Sequence, residues 1–129
     1  MKLPAPGPAP TRLDVVRITA GPETWGEPMT GDVVARWTGP DLTTALTVIG
    51  KLPPGEPNLC GFAPGWGIRA YADPAPDPLY EAAFCYSCHI AWLWGPAVAE
   101  ALRRQPFDAG SPNAQYLLLR FRDILRPAP

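Results

Sequence analysis

Apolar positions recur along this chain with two different periods, and the places where the period changes divide it into elements. Over residues 12–19, Leu13, Val15, Val16 and Ile18 lie in a β-branched stretch that stops at Ala20-Gly21-Pro22, which reads as a strand followed by a turn. The adjacent Val15 and Val16 break the alternation, so the faces of this strand stay unassigned. Residues 31–37 alternate cleanly and put Val33, Ala35 and Trp37 on one side of a second strand. The period then lengthens. Leu42, Ala45, Leu46 and Ile49 fall at helical spacing behind the start signal Thr38-Gly39-Pro40-Asp41, with proline where a missing N–H costs nothing and Asp41 near the positive end of the helix dipole. Gly50, with Pro53-Pro54 beyond it, stops that helix.

Period-two patterning returns over 66–72 and again over 79–84, separated by the proline-stiffened loop 73–78, and the two segments are expected to form a hairpin. Folding it about the loop centre brings Arg69 near Glu81 as a cross-strand or diagonal pair. Such a pair is read as a solvated surface contact contributing roughly 0.2–1 kcal/mol. Residues 89–94 alternate once more, with Ile90, Trp92 and Trp94 on one face, which is expected to be core. A short helix is expected over 96–104, carrying Val98, Ala101 and Leu102, with a loop over 105–110. Ser111-Pro112 opens a terminal helix whose apolar face runs through Ala114, Leu117, Leu118, Phe121, Ile124 and Leu125, and which ends before Pro127. Its other face, Gln115, Arg120, Arg122, Asp123 and Arg126, is expected to be solvated. The order β-β-α-β-β-β-α, without an internal repeat, gives an α+β fold: an antiparallel sheet of about five strands with two main helices on one face.

Length makes this one domain, expected over 11–126 between a flexible proline-rich arm (1–10) and a short tail (127–129). Hydrophobic residues at 47% and five tryptophans in 129 residues favour a packed core over disorder. Eleven basic and twelve acidic residues are scattered for a net charge of -1, which argues against a nucleic-acid or anionic-membrane partner. Only Lys2 and Lys51 are lysines, and with 19 prolines the bias resembles that of a GC-rich bacterial genome. No segment reaches the roughly 20 apolar residues of a membrane-spanning helix and the first ten residues lack a signal-peptide core, so a cytoplasmic protein is expected.

The chemistry of soft side chains is concentrated in two short segments. Cys85-Tyr86-Ser87-Cys88-His89 holds two of the three cysteines and the single histidine, and Cys60 lies upstream in an irregular Gly/Pro-rich stretch. The letters match the C-x-x-C-H pattern of c-type haem attachment, but that chemistry belongs outside the cytoplasm. Met1 and Met29 also provide poorly for a second axial ligand. Thiol–disulfide exchange through Cys85 and Cys88 would ordinarily use a helix N-terminus, whereas strand follows here. A metal site made by Cys60, Cys85 and Cys88, with His89 or water as fourth ligand and zinc as the fitting ion, needs residues 85–88 to form a tight turn between strands. Against it stands the reading of three small buried hydrophobes. A single histidine supports no Ser-His-Asp arrangement, and no phosphate-binding loop or H-E-x-x-H segment occurs, so a catalytic set is not expected.

The run Cys60-x-Phe62-x-Pro64-Gly65-Trp66-Gly67-Ile68-Arg69, then Glu81, then Phe84-Cys85-Tyr86-Ser87-Cys88 resembles a loose group of small bacterial proteins. That group carries a C-x-x-P-x-x-x-[I/L]-R segment followed by C-[F/Y/W]-x-C. Here Cys60 and Pro64 stand one residue further apart than in that pattern, and Phe107-Asp108, Ser111-Pro112 and the terminal helix resemble the group's ending. The resemblance implies a cysteine-containing sheet. Two readings of function follow. One is a non-enzymatic interaction module, immunity-like or regulatory, with another protein as partner and Trp25, Trp66 and the proline-rich loops as contact surface. The other is a metal or thiol-redox protein centred on Cys85 and Cys88. Either way the three thiols are expected to cluster without requiring His89.

Overall fold

Six strands form one open antiparallel sheet with two helices packed on one of its faces, in a computed structural model that describes residues 1–127 apart from Pro6 and Leu59. The last two residues of the expected tail, 128–129, lie outside the described residues, as do Pro6 of the arm and Leu59 of the loop before Cys60. In chain order the elements are β1 (Arg12–Ala20), β2 (Thr30–Trp37), α1 (Gly39–Gly50), β3 (Trp66–Tyr71), β4 (Tyr80–Cys85), β5 (Ile90–Trp94), β6 (Arg104–Pro106) and α2 (Pro112–Ile124). The spatial order is β2-β1-β3-β4-β5-β6. The α+β class and the order of elements agree with the sequence pattern, with one strand more. Where a helix is expected over 96–104 there is only a 3₁₀ turn, Glu100–Leu102, and the next residues add β6 to the sheet edge instead of remaining loop. Of the three apolar positions expected to bury that helix, Val98 alone packs on the core.

The main core lies between sheet and helices. Leu13 and Val15, Ile68 and Ala70, Ala82 and Phe84, and Ala91 and Leu93 point from successive strands toward Ala45 and Ile49 of α1 and Leu117 and Phe121 of α2. Phe121 is the hub, with Trp66 stacked against it at 5.2 Å and Trp37 at 5.8 Å. The Ser111 hydroxyl accepts from the Ala114 N–H and caps α2, as the Ser-Pro start predicts. On β1, Val15 faces the helices and Val16 the opposite side, both fully buried, so the doubled valine marks a strand covered on both faces. A bulge in β2 overturns one expectation. Val15 pairs with Ala35 but Val16 with Val33, so Val33 leaves the face it was expected to share with Ala35 and Trp37 and is half exposed.

The sheet face turned away from the helices carries its own rows. One row alternates in charge across five strands: Arg36 pairs with Asp14, Asp14 with Arg69, Arg69 with Glu81, and Glu81 with Trp94. Within it Arg36 Nε donates to Asp14 at 3.1 Å, Arg69 Nε to Glu81 at 2.8 Å, and Trp94 Nε1 to the other Glu81 oxygen at 2.9 Å. The Arg69–Glu81 pair is therefore a direct cross-strand bond shielded by neighbours, with side-chain exposures of 21% and 17%, and not the solvated contact expected. The neighbouring row is apolar and packs under Met29, which sits so close to Gly67 that a Cβ there would meet its sulfur. Trp94 belongs to this second, smaller cluster with Trp92 at its margin, so the Ile90-Trp92-Trp94 face expected to be core is not the one that meets the helices.

The expected flexible arm is held at its start. Gln105 exchanges two 2.8 Å bonds with the backbone of Lys2, and Met1 and Leu3 pack on the main core.

Candidate functional site

Residues 86–89 form the tight turn between β4 and β5 that a cysteine site there requires. His89 closes it in the left-handed region with φ 56°, a conformation uncommon for a residue with a side chain. The Tyr86 hydroxyl donates to the Ala114 carbonyl at 2.7 Å and ties the turn to α2, while burial holds that phenol well above its ordinary range against a smaller opposing pull from Arg122. From the other side Asn58 donates twice into the turn, from its N–H to the Cys88 carbonyl at 2.9 Å and from its side-chain amide to the Ser87 carbonyl at 2.8 Å.

These bonds bring the loop before β3 against the turn, and Cys60 and Cys88 are joined there in a disulfide with a Cα separation of 5.8 Å. Cys85 remains a free, fully buried thiol on the last residue of β4. Ser87 Oγ stands between the remaining sulfurs, 3.4 Å from Cys85 Sγ and 4.0 Å from Cys88 Sγ. The three cysteines thus share one corner of the fold, although not as three thiols. The metal expectation on Cys60, Cys85, Cys88 and His89, and zinc with it, gains no support. A sulfur engaged in a disulfide is not a thiolate ligand, and among the described residues no group of three or more His, Cys, Asp or Glu side chains is placed to hold a metal ion.

Beside the disulfide the open face becomes a grooved aromatic surface. Phe62, carried by the same loop as Cys60, stacks on Trp92 with ring centroids 3.8 Å apart. A cavity of about 320 Å³ runs past Asn58, Cys60, Phe62, Trp92 and Arg104. A neighbouring one of about 300 Å³ is lined by Trp25, Glu100, Arg103 and Arg104. Trp25 is fixed by a 3.0 Å bond from its indole N–H to the Leu93 carbonyl. The Arg103 guanidinium lies 4.3 Å over its ring and that of Arg104 5.4 Å over Trp92. Neither arginine forms an ion pair among the described residues, and Arg103 Nε is buried without a hydrogen-bond acceptor. Arg12 and Arg120 also have an Nε–H without an aligned acceptor, but each still reaches carboxylates: Arg12 Nε lies 3.2 Å from Asp14 and its terminal nitrogen 2.6 Å from Asp73, and Arg120 lies 3.2 Å from Asp41.

Of the side chains expected at a contact surface, Trp25 is there and Trp66 is not, being 8% exposed within the main core. Arg103 and Arg104 carry no role in the sequence reading, and Trp92 is expected there as core. The sequence signal at the arginines is their doubling two residues before a proline, in a stretch whose apolar spacing suggests helix. Among the described residues no helix is long and apolar enough to cross a membrane. No family model, curated protein or solved structure matches the chain.

Proposed function

We propose that this protein is a non-enzymatic interaction module that takes an extended, carboxylate-bearing segment of a partner protein on the grooved open face. The observation that carries the reading is the pair Arg103 and Arg104. Two guanidinium groups are stacked on tryptophan rings, lack carboxylate partners among the described residues, and include one buried Nε without an acceptor. A buried unpaired donor costs about 1–3 kcal/mol, and a partner's carboxylate supplies what is missing in a bidentate geometry that arginine suits. Trp25, Phe62 and Trp92 add the flat aromatic area that interfaces favour. The disulfide fixes the Phe62 loop before binding, which lowers the ordering cost of association. Because disulfides persist in oxidising surroundings, it also favours a non-reducing setting over the cytoplasm expected from the sequence.

The test is selection of a display library of random twelve-residue peptides on the immobilised full chain. Selected peptides should be rich in Asp and Glu, and Arg104→Ala and Arg103→Ala should each weaken them by about tenfold or more, whereas Arg126→Ala, far along α2, should not. Peptides without acidic enrichment, or affinities indifferent to both groove substitutions, would remove the basis of the proposal.

A further inference from the structure

The three sulfurs at the β4–β5 turn differ sharply in access. Cys60 is exposed, Cys88 is 2% exposed and Cys85 is fully buried. Cys88 is bonded to Cys60, and Cys85, three residues earlier in sequence, stands at the base of the same turn, paired with Ile90. Bridging requires the two Cα atoms to come within roughly 4.4–6.8 Å, a span that residues three apart at so tight a turn can adopt. Ser87 Oγ is in contact range of both sulfurs, so the approach between them is already solvated by a hydroxyl that can accept or donate a proton. We infer that Cys60, Cys85 and Cys88 form a thiol–disulfide exchange site, in which the bridge moves from Cys60–Cys88 to Cys85–Cys88 and presents Cys60 as a free thiol at the surface.

The step balances within the chain. Cys85 gives its proton to water by way of the adjacent, exposed Ser87 hydroxyl and its sulfur attacks Cys88 Sγ; the Cys60–Cys88 bond breaks as the Cys85–Cys88 bond forms, and the departing Cys60 thiolate takes up a proton from water. One disulfide and one thiol are present before and after, so no oxidant or reductant is consumed. The direction follows from access. A leaving thiolate is stabilised by water, and Cys60 is the exposed residue of the three, whereas Cys88 is pinned by its carbonyl to the Asn58 N–H. The loop stays in place after release, because both Asn58 bonds to the turn are independent of the sulfur. The freed thiol then borders the Phe62–Trp92 cavity, where a partner's thiol or disulfide would meet it. The exchange does not depend on that cavity binding a peptide.

The experiment uses the purified oxidised full chain, held folded at mildly alkaline pH with N-ethylmaleimide and then cut with trypsin without reductant. Cleavage after Arg69 separates Cys60 from the other two cysteines. The expected result is a growing yield of the maleimide-labelled Cys60 peptide together with a 70–103 peptide carrying an internal Cys85–Cys88 bridge, at the expense of the cross-linked pair. In Cys85→Ser the Cys60 peptide should remain cross-linked and unlabelled, with labelling at least tenfold slower. Maleimide found on Cys85 alone, with the Cys60–Cys88 pair intact throughout, would overturn the inference. So would Cys60 labelling in Cys85→Ser at the wild-type rate. Should that variant not fold, the wild-type time course decides by itself.

Discussion

Single side chains in this protein matter most where a charge or a phenol has been taken out of water. Arg69 is the clearest case, since its guanidinium serves both the Glu81 carboxylate and the Met29 carbonyl, at 2.8 and 3.2 Å. Arg69→Ala leaves Glu81 shielded with only the Trp94 indole for company, and urea unfolding should show a loss of about 2 kcal/mol, between the values for exposed and buried pairs. Glu81→Gln, which keeps an acceptor for Trp94, should cost less. The tyrosines set the alkaline limit. Burial pushes the Tyr80 phenol from 10.0 up to about 12, and Tyr86 moves in the same direction for the same reason. The unfolded chain therefore ionises these groups first, so the stability they contribute is complete below pH 10 and drains away as the pH rises toward about 12. A pH series of thermal melts should show Tm falling across that window, and Tyr80→Phe should flatten the fall.

At the level of elements, local signals held wherever the pattern and the chain's chemistry agreed. The Ser-Pro start of α2 is such a place. Ser111→Ala removes the bond to the Ala114 N–H and should cost about 1 kcal/mol in denaturant unfolding, whereas Ser111→Asn should retain most of the stability. Both helices, the β3–β4 hairpin and a turn between β4 and β5, expected at 85–88 and found at 86–89, were legible because periodicity and Gly/Pro punctuation are local. What escaped was set by partners distant in sequence. The bulge that turns Val33 outward depends on how β2 lies along β1, and nothing within 31–37 announces it. β6 consists of three residues, Arg104–Pro106, whose strand state comes from lying beside β5, so local pattern alone reads Arg104 as the end of a helix and Gln105-Pro106 as loop. The row Arg36, Asp14, Arg69, Glu81 draws on four strands, and its members become neighbours only after the registers are known. The cysteines were gathered correctly, but a sequence shows where sulfurs meet and not whether they are oxidised. Arg103 and Arg104 were missed because their significance lies in what they stack on.

For the molecule as a whole, the Cys60–Cys88 bond closes a stretch with a sequence separation of 28. A loop of that size contributes about 3.5 kcal/mol through the unfolded chain, so reduction, or Cys88→Ser, should lower Tm by about 10 °C while leaving the helices' circular dichroism intact. The order of strands adds a further consequence. Along β2-β1-β3-β4-β5-β6 every neighbouring pair is consecutive in sequence except β1 and β3, which meet across α1 and the long loop that follows it. The sheet is therefore two zippers sewn together along one seam: a β1–β2 hairpin and a β3–β6 meander, each closed by contacts that cost little chain entropy. The disulfide ties that long loop, at Cys60, to the β4–β5 turn, at Cys88, and so fastens the connection that spans the seam to the meander. The covalent bond thus anchors the one connection whose closure costs the most chain entropy. Reduction at the turn frees that connection while each zipper keeps its own paired strands.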